Sequence, residues 1–387
     1  MQCQKELFQL PSDVTYLNCA YMSPLMKQVE AAGMRGLAAK RQPYLLKPHD
    51  FFEPARQLRE AFAQLIKADT PDRICLIPSV SYGMSIVAQN IPIQQGEEIL
   101  IVGEQFPSNY YCWERLTRQS QASLRIVPPP EVPHGRGQLW NERILQAIGQ
   151  RTRVVAMPHV HWADGTSFDL RAIRQRSREV GAWLVVDGTQ SVGALPFHLD
   201  EFQPDALICA GYKWLMGPYA LGVAWFGPHF DQGVPLEESW MNRAGSENFS
   251  ALVNYQPHYQ PYARRYEVGE SSNFILLPML LESIRILNEW GPEHVQSYCQ
   301  ALSEKPIATL RRLGFHIEDA GYRGAHLWGI RLPTGLDVQQ LKQQLDQQRI
   351  YVSVRGNAIR VSPHVYNETH ELDKLVGCLY DFVKTHA

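Results

Sequence analysis

The chain reads as an α/β protein, and two observations carry that reading. Short apolar runs that stop at Gly, Pro or Ser recur through the first two thirds: ICLIPS, EEILIVGE, RVVAMPHV, WLVVDG, ALICAGY and GVAWFG. Between several of them lie segments of helical period. In DLRAIRQRSREVGA, Leu170, Ile173 and Val180 share one face while the arginines point outward. Strands that are apolar without alternation are buried on both faces, so the pattern predicts a mostly parallel sheet covered by helices on both sides.

The pattern changes after GVAWFGP. A stretch rich in Pro, Tyr and His runs to about Arg265, and a long helical segment follows, NFILLPMLLESIRILNEWG, interrupted by Pro278. PEHVQSYCQALSEKPIATLRRLG predicts another helix. The remainder reads strand (AHLWGIRL), helix (LDVQQLKQQLDQQ), strand pair (IYVSVRG, AIRVSP) and closing helix (THELDKLVGCLYDFVKT), a smaller α+β unit. The change falls near residues 275–290, and we expect a large domain over 15–280 and a small one assembled from 1–14 and 281–387. There is no repeat of fixed period and no low-complexity tract.

Composition narrows the function classes. With 387 residues, 45% hydrophobic and 20% charged, the chain can bury a large core, and a formal net charge of -2 offers no footprint for nucleic acid or an anionic membrane. The seven cysteines, at positions 3, 19, 75, 112, 209, 299 and 378, include no close pair spaced as a zinc site or redox dithiol. No metal is expected, and free cytosolic thiols are the simplest reading. The N-terminus, MQCQKELFQLPSDVTYLN, has no apolar core of signal-peptide length, and no later run is long enough to span a bilayer. The expected location is the cytoplasm.

The stretch VVDGTQSVGALPFHLDEFQPDALICAGYKW carries the chemistry. It sets Asp187 at the end of one buried strand and Lys213 just past the end of the next. In parallel α/β sheets ligands sit beyond the carboxyl ends of strands, so the two charges either pair with each other or face one ligand from two sides. Upstream, IPSVSYGMSIVAQNI puts Ser79 and Ser81 between a strand and a helix, where free backbone N–H groups favour phosphate. Serine caps helices without any ligand as well.

The order Asp187, Gln190 and Tyr212-Lys213 resembles the signature of the pyridoxal-phosphate enzymes of aminotransferase class V. That group includes cysteine desulfurases, selenocysteine lyases, kynureninases and isopenicillin N epimerase-like proteins. The resemblance runs over most of the chain, with several motifs in the family's order. It implies a fold type I architecture with a seven-stranded sheet in the large domain, and pyridoxal 5'-phosphate as cofactor. It also implies a homodimer with shared active sites and an amino acid or derivative as substrate. Asp187 matches the carboxylate that keeps the pyridine nitrogen protonated, and Lys213 the lysine that holds the aldehyde as a Schiff base and then moves protons. Gln190 matches the residue that hydrogen-bonds the phenolic oxygen. The Val80 backbone and Ser81 match the phosphate turn, with Tyr212 reaching the same phosphate. Phe106, in EQFPSNYYCW, matches the aromatic that stacks on the ring, and Trp162, in PHVHWADGT, stands where an asparagine of the desulfurases approaches the phenolic oxygen, a departure that points away from them. Arg360, in SVRGNAIRVSPHVYN, aligns with the arginine that binds the substrate carboxylate, whereas Arg355 reads equally well as a surface strand residue. His159 and His161 read as structural neighbours.

This sequence departs from the family at several points. Ala210 stands where the family has a hydroxyl residue three before the lysine, so one phosphate contact is missing or supplied elsewhere. In RRYEVGESSNF, Glu270 occupies the position of the threonine that crosses the dimer interface, leaving Ser271 or Ser272 to reach the partner's phosphate. Only GNAI separates Arg355 from Arg360, where desulfurases carry a loop with a catalytic cysteine; Cys378 falls in an amphipathic helix. A persulfide-forming desulfurase is therefore disfavoured. The expected function is an aminotransferase or lyase acting at an amino acid α-carbon, with an isopenicillin N epimerase-like racemase or a non-catalytic relative as alternatives. A nicotinamide dehydrogenase is excluded by the lack of a G-x-G-x-x-G after the first strand. The sequence does not choose the substrate or the branch of the reaction.

Overall fold

In the computed structural model, which describes residues 1–386, a seven-stranded sheet forms the centre of the molecule. The strands are β1 (Thr15–Tyr16), β2 (Ile74–Ile77), β3 (Glu98–Val102), β4 (Ser123–Val127), β5 (Thr152–Pro158), β6 (Trp183–Asp187), β7 (Ala206–Ala210), β8 (Gly222–Phe226), β9 (Trp328–Arg331), β10 (Ile350–Tyr351), β11 (Ser353–Arg355) and β12 (Ala358–Val361). The helices are α1 (Lys27–Ala39), α2 (Glu53–Ile66), α3 (Val80–Asn90), α4 (Tyr111–Ser120), α5 (Arg136–Ala147), α6 (Leu170–Glu179), α7 (Leu199–Phe202), α8 (Leu276–Trp290), α9 (Pro292–Arg312), α10 (Val338–Gln347) and α11 (Thr369–His386).

The large sheet has the order β2-β8-β7-β6-β5-β3-β4, and only β8 runs against the rest. Strands β2, β3, β6 and β7 are buried along their whole length, as their apolar runs require; the exceptions, Glu98 and Asp187, stand at strand ends. One apolar cluster lies on each side of the sheet. The first is built from α1, α2, α5, α6 and α8 with Leu100, Val155, Leu184 and Leu207, the second from α3 and α4 with Ile101, Val154, Val185 and Ile208. β4 departs from the buried pattern: Ser123, Arg125 and Ile126 are exposed at its edge of the sheet, whereas β2 at the other edge is covered, Val268 N donating to Leu76 O.

A three-stranded antiparallel sheet, β11-β12-β9, packs with α10 and α11 around a third cluster from Leu302 to Phe382. β1 pairs in parallel with β10, and Leu17 enters this third cluster. Helix α8 packs on α1 and α2, and Met279 and Leu280 lie in the core of the large sheet. The apolar environment passes from the large unit to the small one along α9, between Cys299 and Leu302. Pro278 does not interrupt α8 as expected: the helix begins at Leu276, so the proline lies in its first turn, where no intrahelical N–H is needed. No helix among the described residues is long and apolar enough to cross a membrane.

Candidate active site

The carboxyl ends of β2, β3, β5, β6 and β7 converge on one cavity of about 280 Å³. Its wall includes Ser79, Val80, Ser81, Phe106, Trp162, Asp187, Gln190, Tyr212 and Lys213, nine of the residues singled out from sequence. Asp187 ends β6 and the others lie beyond strand ends, because an α/β sheet exposes its connecting loops there. Ser79 caps α3, its Oγ accepting from Tyr82 N at 3.2 Å and lying 2.9 Å from Ser81 Oγ. The cap leaves the backbone N–H groups of Val80 and Ser81 without acceptors among the described residues, an anion-binding arrangement.

Lys213 is 7% exposed, and its amine has no hydrogen bond or ion pair among the described residues. Nζ lies 5.2 Å from the Phe106 ring centroid and 5.4 Å from that of Tyr212. Burial, reinforced by the charge of Arg360, pulls its pKa down to about 8, against the upward pull of Asp187. Asp187 accepts from Thr189 N at 3.0 Å; burial raises its carboxyl above the ordinary value, opposed by Thr189 and by Lys213. Gln190 is held at both ends, donating from Nε2 to Ala20 O (3.2 Å) and accepting from Trp214 Nε1 (2.7 Å), with a second Nε2 hydrogen remaining.

Phe106 meets Trp162 edge-on at 5.4 Å, and Trp162 Nε1 donates to Glu104 O at 2.7 Å. Arg360 is 1% exposed and donates from Nη1 to Trp162 O at 2.7 Å, while Nε and Nη2 are buried without partners. Burial and the Arg355 cation push its pKa down to about 9. An unsatisfied guanidinium fork in such a place is a site for a carboxylate.

Ser271 and Ser272 are not on this cavity. Ser271 is buried and donates to Glu267 at 3.2 Å, and Glu267 is itself ion-paired with Arg59. His159 lies between the Phe197 and Phe202 rings, and burial pushes its pKa down to about 3; His161 is enclosed by Trp140, Phe168 and Asp164. Neither lines the cavity.

Sequence reasoning missed several wall residues: Gln105, Ser108, Thr189, Tyr219, Ala220 and Leu221. For Thr189 a signal existed, since Asp-x-Thr after a strand is an Asx turn that steadies the carboxylate. It also missed the segment from Asn18 to Ser23. There Ala20 O holds Gln190, Ala20 N donates to Ser362 Oγ at 3.0 Å, and Ser23 donates from N and Oγ to Tyr212 O. This segment ties the Lys213 loop to the strand that carries Arg360.

The aminotransferase class-V family model matches residues 45–375. The chain is 27% identical to the isopenicillin N epimerase of Streptomyces clavuligerus over 384 residues, covering 96% of this chain and 95% of the relative. It is 28% identical to that of Amycolatopsis lactamdurans over 411 residues, covering 98% of each. Among solved structures, a C-DES mutant with glycine covalently linked to its PLP cofactor superposes with a TM-score of 0.88 at 21% identity, covering 98% of this chain and 99% of that one.

Proposed function

Because the chain belongs to the aminotransferase class-V family, a family of pyridoxal-phosphate-dependent enzymes of fold type I, we propose that its site works at the α-carbon of an amino acid or derivative as an aminotransferase or lyase. The observation that carries this reading is the convergence of an unpaired buried amine and a buried carboxylate on one cavity, with an unsatisfied buried guanidinium bonded to the backbone of its wall residue Trp162.

The residues present fit the cofactor. The free N–H groups at the start of α3, with Ser81 and Tyr212, suit its phosphate, and Phe106 offers a ring face beside Lys213. Asp187, whose carboxyl is raised by burial, would face the ring nitrogen and favour its protonated form. Gln190, with its one remaining N–H, suits the phenolic side, whereas Trp162, whose only side-chain N–H is given to Glu104 O, offers packing alone. When bound, pyridoxal phosphate supplies an electron sink for a bond broken at the substrate α-carbon.

The chain's own groups do the rest. Lys213, with its pKa near 8, holds a larger neutral fraction at physiological pH than an ordinary lysine, which suits it both to hold the aldehyde and to take and return the α-proton at Nζ. Arg360 grips the substrate carboxylate through Nε and Nη2 while Nη1 stays anchored on Trp162 O, and this fixes which α-carbon bond faces the sink. No cysteine lines the cavity among the described residues, which supports transamination or elimination over sulfur transfer through an enzyme persulfide.

A homodimer completes the proposal. Tyr44, Leu45, Val253 and Tyr255 are exposed apolar side chains, and the segments that carry them meet through Phe51 and Phe249, 5.3 Å apart. Glu267 occupies the Ser271 hydroxyl, so Ser272 is the hydroxyl available to a partner's phosphate. Seven unpaired cysteines support a cytoplasmic location. The test is to incubate the holoprotein with a panel of amino acids in deuterated water and identify the products. A keto acid or an eliminated side chain supports the reading; inversion of the stereocentre without either assigns the chain to the epimerases; no reaction and no deuterium exchange with any amino acid refutes it.

A further inference from the structure

We propose that Arg355 is a second anion-binding side chain of the substrate site, and that the substrate carries an acidic group in addition to its α-carboxylate. This rests on the reading of the site given above. The β11–β12 hairpin pairs Ser353 with Arg360 and Arg355 with Ala358. Directly opposed residues and their i±2 neighbours project from the same face, so Arg355 and Arg360 are diagonal neighbours, roughly 7–8 Å apart at the backbone. Both converge on Trp162, a wall residue of the cavity that holds Lys213. Arg360 donates to its carbonyl at 2.7 Å, and the Arg355 guanidinium lies 5.3 Å from its ring centroid.

Neither cation has a carboxylate within ion-pair distance among the described residues. Arg360 is buried and Arg355 half-buried, whereas the buried Arg59 is paired with Glu267, and the buried Arg136 with Asp164. Arg355 makes one hydrogen bond, from Nη1 to its neighbour's Val354 O at 2.7 Å, and its Nε is buried without a partner. Arg360 and Lys213 are buried, Arg355 is half-buried with its Nε shut off from water, and among the described residues none of the three has an ion-pair partner; withdrawing an unpaired cation from water is costly. An α-carboxylate on Arg360 satisfies one of the two guanidinium groups. A second acidic group, reaching past the indole of Trp162, satisfies the other. The pocket therefore selects acidic amino acids, or amino-acid derivatives with a distal carboxylate, over neutral ones of the same length.

The experiment measures dissociation constants for aspartate, glutamate and 2-aminoadipate against alanine, 2-aminobutyrate and norvaline. Both enantiomers are titrated into holoprotein, with calorimetry and the cofactor absorption band as readouts. A charge-assisted contact of this kind is worth roughly a 10- to 100-fold preference for the best-fitting acidic ligand. Arg355→Gln should bring the ratio of acidic to neutral affinities towards one, and Arg355→Lys, which keeps the charge, should restore part of it. A wild-type protein that binds both sets equally, or a preference that survives in Arg355→Gln, overturns the inference and leaves the α-carbon chemistry standing. If no amino acid binds although the cofactor band is present, the underlying reading of the site fails and this inference falls with it.

Discussion

Replacing Arg360 by methionine removes the fork proposed to hold the substrate carboxylate while keeping most of the side-chain volume. Two charge-assisted hydrogen bonds are available there, from Nε and Nη2, since Nη1 is already spent on Trp162 O. At about 1.5–3 kcal/mol each they sum to roughly 3–6 kcal/mol. That corresponds to a fall in kcat/KM of roughly a hundredfold to ten-thousandfold. Arg360→Lys keeps a positive charge but cannot present two parallel donors, so it should recover only part of the loss. The assay is steady-state kinetics on the best amino acid found, with the cofactor band and a thermal melt confirming that each variant is folded and loaded. The melt matters because Trp162 O loses its donor, a structural cost of about 1–3 kcal/mol for a buried acceptor. A kcat/KM for Arg360→Met within threefold of wild type, in folded and loaded protein, would refute the carboxylate assignment.

The remaining predictions concern the residues around the cavity. Burial and the neighbouring guanidinium groups lower the Lys213 pKa to about 8, so its neutral, reactive fraction rises as pH increases through 8 rather than through the usual lysine range. In cofactor-free protein the rate of pyridoxal phosphate capture should climb between pH 7 and 9 and then level off. Removing Asp187, which raises this pKa, should move the midpoint down, and removing the Arg360 charge should move it up. Asp187→Asn keeps an acceptor for Thr189 N but loses the charge opposite the ring nitrogen; we expect kcat to fall at least about a hundredfold with the fold retained, checked by kinetics and circular dichroism. Gly193 has φ +102°, and a Cβ there would lie 2.2 Å from Trp214 O. Gly193→Ala should therefore destabilise the protein by about 1–3 kcal/mol or more and weaken cofactor retention, because Trp214 follows Lys213; a melt and a dialysis time course measure both.

The relation between sequence and structure varies from element to element. Strands β2, β3, β6 and β7 were legible because a strand buried on both faces must be continuously apolar. β4 was not: SLRIV sits at the sheet edge with Arg125 in solvent, and its pairing with β3 is made by backbone groups that leave no side-chain pattern. Pro278 reads as a break in a periodic pattern, but in the first turn of a helix proline costs little. The site shows the same division. Asp187, Lys213 and Arg360 could be located because their chemistry and the order of motifs constrain them. Thr189, Ala20 and Ser23 act through backbone atoms or support a neighbour, so residue type carried almost no information about their place. Arg355 looked like a surface strand residue until the hairpin register put it on the same face as Arg360, over the Trp162 ring.

The central claim is that Lys213 is the residue that holds pyridoxal phosphate, and it can be tested directly. Holoprotein reduced with borohydride, digested and analysed by mass spectrometry should carry one pyridoxyl phosphate group on the peptide containing Lys213, and Lys213→Ala should carry none at that position and lose the visible band. Attachment to a different lysine, or an unchanged band in Lys213→Ala, would contradict the account.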